Sequence, residues 1–262
     1  MKREIKNALF SVNFIGAVVI TALTFLIGAY EDIGHSGGTI LYFFDICMQL
    51  SPLIVFIPFV ASLPYGYRFI DEYNSNYYRF SLSRSGYKKY VFRKTVAVNL
   101  SSFLAVFLGL TFAVLFLLPF SEKTNFNDVF HVQLYNTLVS GRSYGFLINI
   151  NEYLYIFVCV FFISLFASLW PIIGMIASTY IKNRYVSLIM PFIVFFLLWQ
   201  IGGRCAHLFS HASGFLMIIN VYYGNYGAFN NIWLSLFGTL IFVFAWHIGM
   251  FVWFKKRMEK CW

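Results

Sequence analysis

The sequence offers few residues whose types and spacing do chemistry. His207 and His211 stand four apart, on one face of a helix, with Cys205 nearby, a spacing that could ligand a metal. No carboxylate accompanies them and zinc motifs need more ligands, so surface or interfacial histidines are the other reading. His247 sits within a long apolar run, where an ionisable group is a functional candidate by default; its alternative is a polar packing residue. Proton-coupled carriers commonly show several membrane carboxylates, and here Asp45 stands alone near the edge of an apolar run. The chain has no Gly-x-x-x-x-Gly-Lys-[Ser/Thr] phosphate loop, so any dependence on ATP must come from a partner. It also lacks a His-Glu-x-x-His pair and a Gly-x-Ser-x-Gly elbow. Cys47, Cys159, Cys205 and Cys261 show no Cys-x-x-Cys spacing. These residues point away from an enzyme.

The elements that must carry them are set by composition. Of 262 residues, 60% are apolar and only 11% charged, against roughly 45–50% and about 25% in an ordinary soluble domain. Fifty-seven aromatics are too much apolar surface for a globule of this length to hide from water. Lipid is therefore the solvent for much of the chain, and neither a disordered chain nor a disulfide scaffold fits. A membrane helix needs about 20 mostly apolar residues because its backbone must satisfy itself. Six stretches qualify, over about 8–29, 46–67, 95–121, 153–181, 185–203 and 232–254, and none contains Lys, Arg, Asp or Glu. They read as apolar all round, which favours helices over a barrel. The expectation is a single all-α transmembrane domain over 1–262.

The basic residues orient it. Sixteen basic and four acidic residues fall on one face, +12, while Lys123, Arg142 and Arg204 with six acids give −3 on the other. Lys and Arg are retained on the cytoplasmic side, so both termini are expected there. The net charge of +9 thus reports topology, and nucleic acid is not an expected partner. The first apolar run is of full span length and lacks a small-residue cleavage site, so it is expected to stay. Before it, Met1, Ile5, Ala8, Leu9 and Val12 recur at helical spacing with Lys2, Arg3 and Lys6 elsewhere around the helix, the pattern of a short interfacial helix or of a simple basic flank. From Cys205 to Phe254 no charged residue occurs, yet topology needs only one span there; 205–231 is expected to be a re-entrant or interfacial hairpin broken by Gly214, Gly224 and Gly227.

Within the spans, Pro52, Pro58 and Pro64 each remove a helical hydrogen bond and bend the second stretch; Pro171 and Pro191 do the same later. The bends serve either a flexing element or a fixed kink. Ser101, Ala105, Gly109 and Ala113 form a small-residue stripe that admits a close helix neighbour, in this chain or a second copy. The basic connection 68–94 carries seven positive and two negative residues. Phe69, Ile70, Tyr73, Tyr77 and Phe80 continue a helical period, Asn74-Ser75-Asn76 interrupts it, and Ser83-Arg84-Ser85-Gly86 supplies a turn. The pattern is helix, short helix, turn, helix: an elbow that suits a docking protein or anionic lipid.

At that elbow, Phe69-Ile70-Asp71-Glu72, then Tyr77-Tyr78-Arg79-Phe80-Ser81-Leu82-Ser83-Arg84, then Tyr90 and Lys94, the chain resembles the membrane subunits of type-2 ABC exporters, bacterial six-span permeases of the plasma membrane. The family often has Gly four residues after the acid; Asn76 stands there, a residue that tolerates positive φ. The resemblance implies a dimer of this or a related permease in the bilayer, with a separate ABC ATPase subunit that binds ATP and Mg docked under each elbow. It implies no cofactor in this chain. Glu72, Tyr78, Arg79, Phe80, Ser81, Leu82 and Arg84 would be coupling residues rather than catalytic ones. Family members export drugs, antimicrobial peptides, lipids or polysaccharides, and the aromatic interior suits a lipophilic or peptide cargo. A self-contained carrier using His247 and the proline-bent second stretch is the rival reading.

Overall fold

The computed structural model describes residues 2–33, 38–141, 144–181, 183–208 and 232–260. Among these the regular elements are helices: α1 (Lys2–Leu9), α2 (Val12–Leu26), α3 (Ile40–Leu50), α4 (Leu53–Ser62), α5 (Gly66–Asn74), α6 (Tyr77–Ser85), α7 (Tyr87–Leu117), α8 (Val129–Gly141), α9 (Glu152–Ala167), α10 (Pro171–Ser178), α11 (Arg184–Leu208) and α12 (Ile232–Lys260). The only bridge between extended residues in the described part pairs Thr39 with Glu122.

Among the described residues four helical segments are long and apolar enough to cross a membrane: Val12–Ala29, Tyr87–Phe120, Glu152–Ser178 and Arg184–Ile201. A fifth results if α3 and α4 are counted as one bent span. The chain therefore fits a multi-pass membrane protein, all-helical where described. The last stretch expected to span, 232–254, lies within α12. His207 falls near the end of α11, but its side chain, His211 and the hairpin expected over 205–231 lie outside the described residues apart from the end of that helix.

Local chemistry explains the boundaries. Ser11, extended at φ −93°, accepts the Phe14 N–H at 3.1 Å and starts α2, separating it from α1. The second apolar stretch is not one rod: α3 and α4 meet at 77° across Ser51-Pro52. Pro52 precedes α4, Pro58 lies inside it, and Pro64 sits in the break before α5. Away from water, carbonyls freed by such breaks need donors from neighbouring side chains. At the break before α5, Ser102 Oγ on α7 donates to the Ala61 carbonyl and Ser11 Oγ to Pro64 at 3.4 Å, while inside α4 Ser62 Oγ bonds back to the Pro58 carbonyl at 2.7 Å. Pro171 occupies the first turn of α10, where its missing N–H is not needed, after a break at Ser168–Trp170. Pro191 lies inside α11.

α7 is the central mast. Its small-residue stripe, Ser101, Ala105, Gly109 and Ala113, is buried. At Gly109 the approach of α2 is closest: a Cβ there would lie 2.6 Å from Thr21 Cβ and 2.8 Å from the Val18 carbonyl. Thr21 returns its own hydroxyl to Ala17 at 2.7 Å, so no polar group is stranded in that contact. The stripe thus packs inside the chain, against α2. A broad apolar core joins α3, α4, α7, α9 and α11 around Phe43, Phe166, Trp170 and Phe195; a separate cluster at the elbow end gathers Tyr65, Phe69, Tyr78, Leu82, Tyr90, Phe254 and Met258.

Because neither Thr21 nor the α2 backbone has room to retreat, Gly109→Ala should destabilise by about 1–3 kcal/mol and Gly109→Leu more, read as lowered unfolding midpoints in detergent. Unchanged midpoints for both would mean that α2 and α7 do not approach as closely as described.

Candidate functional site at the elbow

The elbow is built by two left-handed residues. Asn76 adopts φ 58° and Gly86 φ 71°, the two positive values among the described residues. The first reverses the chain between α5 and α6 where Asn74-Ser75-Asn76 interrupts the helical pattern, and the second joins α6 to α7. Asn is among the few side chains that tolerate this region, so the turn forms without glycine. α5 is closed by Ser75, whose N–H and Oγ both donate to the Asp71 carbonyl at 3.0 and 2.8 Å. α6 is closed by Gly86 N–H on the Leu82 carbonyl at 2.8 Å.

α6 has two faces. Tyr78 and Leu82, four apart, are buried in the elbow cluster. Tyr78 stacks on Tyr73 at 4.7 Å, Tyr73 on Phe69 at 6.1 Å, and Phe69 meets Phe254 of α12 edge-on at 5.4 Å. Opposite, Tyr77 is 57% and Phe80 69% exposed, their rings 6.4 Å apart, beside exposed Arg79 and Arg84. The Arg79 guanidinium donates to the Tyr78 hydroxyl at 3.4 Å, a contact that favours its charged form and pushes its pKa up. Ser81 is half-buried between the faces. Of the seven residues expected to couple, Tyr78 and Leu82 anchor, Arg79, Phe80 and Arg84 present themselves, and Glu72 does something else.

Glu72 belongs to a buried charge cluster. Lys94, on the second turn of α7 and 2% exposed, places Nζ 2.7 Å from Glu72 Oε2 on α5, 3.0 Å from Glu4 Oε2 on α1, and 3.0 Å from the Tyr65 hydroxyl. Tyr65 also hydrogen-bonds Glu4, and its ring and that of Tyr90 lie 5.2 and 5.8 Å from the ammonium. A buried ammonium is tolerated only when paired and hydrogen-bonded, and this one has two carboxylates, a phenol and two ring faces. Glu72 thus joins α5 to α7, and Glu4 joins α1 to the same point. Further ties hold neighbouring ends. Asp71 meets Arg184 at the start of α11 at 3.7 Å, its carboxyl pushed above the ordinary range by partial burial. Arg257 of α12 lies over the Tyr180 ring at 4.0 Å and donates to the Thr179 carbonyl at 3.1 Å, closing α10.

Elsewhere, His247 Nε2 is 3.3 Å from Ser168 Oγ at the α9–α10 break. The described residues contain no group of three or more His, Cys, Asp or Glu that could hold a metal. Lys94 was legible as part of the elbow pattern, but Glu4 and Tyr65 carried no signal as its partners, being 90 and 29 residues away. No known protein family, characterised protein or solved structure matches this chain.

Lys94→Met leaves Glu72 buried and uncompensated and should lower stability by about 3–5 kcal/mol. Pairing it with Glu72→Gln should recover a clear part of that loss in denaturant unfolding; an additive double variant would show that the two charges do not interact.

Proposed function

We propose that this chain is the permease subunit of an ATP-driven transporter of the type-2 ABC exporter kind, with a separate ATPase docking on α6. The observation that carries the reading is the outward face of α6, where Tyr77, Arg79, Phe80 and Arg84 stand exposed on a helix braced from behind. Interfaces favour aromatic and Arg anchors, and a surface through which force passes must not yield. ATP and Mg are bound by the ATPase, and this chain has no catalytic role. On this reading it has six spans, both termini and the elbow in the cytoplasm of a bacterial plasma membrane, and a re-entrant hairpin before the last span. It works as a dimer with itself or a related permease and exports a lipophilic or peptide cargo.

The contacts support a path for the movement in this reading. ATPase closure on nucleotide pushes α6. Tyr78 and Leu82 pass the push to the elbow cluster, and Lys94 ties α7, α5 and α1 so that they tilt together. The α2–α7 contact at Gly109 carries the tilt along the span.

The test is reconstitution. The protein should co-purify with an ATPase from native membranes and raise its ATP hydrolysis, and Arg79→Glu combined with Phe80→Ala should cut that stimulation about tenfold, the effect of losing roughly 1.4 kcal/mol of interface energy. Unchanged assembly and stimulation would remove α6 from the interface. A second reading has its own observation, the His247–Ser168 pair at a helix break. As a self-contained carrier the pure protein would transport in liposomes without an ATPase, and His247→Ala would abolish it.

A further inference from the structure

α7 and α12 run antiparallel at the elbow end, and the groove between them has a distinctive lining. Phe92 of α7, 53% exposed, meets Phe251 of α12 edge-on at 6.5 Å. Nearer the helix ends the Tyr87 hydroxyl of α7 donates to Glu259 of α12 at 3.3 Å, so the two helices stay side by side to their tips. Residues four apart share a helix face. Lys88 therefore stands on the Phe92 face and Lys255 on the Phe251 face, both one turn beyond the aromatic pair toward the tips. Lys89, Arg93 and Lys256 add positive charge beside them, and Glu259 is held by Tyr87. The first turn of α7 contains no acidic residue, so the positive end of its dipole adds to these charges.

We infer that this groove binds an anionic phospholipid of the leaflet on the elbow side. Lys88 and Lys255 flank the headgroup phosphate, and the first carbons of the acyl chains lie across Phe92 and Phe251. Charge complementarity selects the ligand: paired lysines over an aromatic floor, at the depth where a span leaves its apolar stretch, match a phosphate joined to a hydrocarbon. A soluble polyanion would satisfy the lysines and leave the exposed Phe92 ring uncovered. The inference rests on α7 and α12 alone and is independent of the transporter reading.

The test uses the full chain in nanodiscs of mixed phosphatidylglycerol and phosphatidylcholine, followed by native mass spectrometry of the released protein. Wild type should retain phosphatidylglycerol over phosphatidylcholine at least fivefold. Lys88→Gln with Lys255→Gln should lower that preference at least threefold, and Lys88→Arg with Lys255→Arg should keep it. Lys2→Gln with Lys6→Gln removes the same charge from α1 rather than from α7 and α12 and should leave it unchanged. Equal loss in both Gln pairs would reduce the effect to general surface potential and overturn the site, as would full retention in the groove pair. Should the groove pair not fold, a photoreactive phosphatidylglycerol on wild type decides. Adducts on the first two turns of α7 and on α12 from Phe251 onward support the inference, and adducts confined elsewhere end it.

Discussion

One ammonium group organises the elbow end. Lys94 is on a helix that must enter the membrane, and its side chain points into protein rather than back to water, where a lysine near a span end ordinarily snorkels. That placement is permitted only because three other segments deliver oxygen atoms to it: α1 through Glu4, the break before α5 through Tyr65, and α5 through Glu72. Each of those segments is short, and α1 and α5, of eight and nine residues, would be marginal as isolated helices. Their persistence here is tertiary. The amphipathic start of the chain, which alone would lie on any interface, is bound to a fixed point on α7.

The opposite constraint rules the spans. There the chain contains few charges to place, and the difficulty is the unpaired backbone at each proline. At the break before α5 the Ala61 and Pro64 carbonyls take serine hydroxyls from residues distant in sequence, Ser102 and Ser11, and inside α4 Ser62 bonds back to Pro58. Small and hydroxyl-bearing residues thus serve two ends: they let α2 and α7 touch at Gly109, and they give carbonyls around the break before α5 a side-chain donor.

Much of this was legible. Apolar runs marked the long helices, and the polar triplet Asn74-Ser75-Asn76 marked the α5–α6 boundary, because both signals are local. The four-residue spacing of Ser101, Ala105, Gly109 and Ala113 announced a packing face, but the identity of α2 as the neighbour depends on the fold. Tyr77 and Tyr78 are the same residue type and only the packed α6 shows that one faces out and the other in. Pro52, Pro58 and Pro64 announced bends; that Pro52 begins a new helix at 77° to the last, and that the preceding helix reaches back to Ile40, is decided by how α3 and α4 pack. The Lys94 partners were hidden for the same reason, since spacing along a chain says nothing about residues 90 apart.

The α3–α4 corner has a consequence for what the bent pair relies on. Each arm, 11 and 10 residues, is roughly half the length that crosses a bilayer, and the carbonyls of Ala61 and Pro64 receive their side-chain donors from Ser102 and Ser11. Gly28, emerging before the corner, lies so close that its absent side chain would strike the Cys47 Cα at 2.8 Å. Neither arm alone would therefore cross a bilayer. The far end of α4 has its full set of bonds only with α7 in place, so the bent pair depends on α7 as well as on its own two arms.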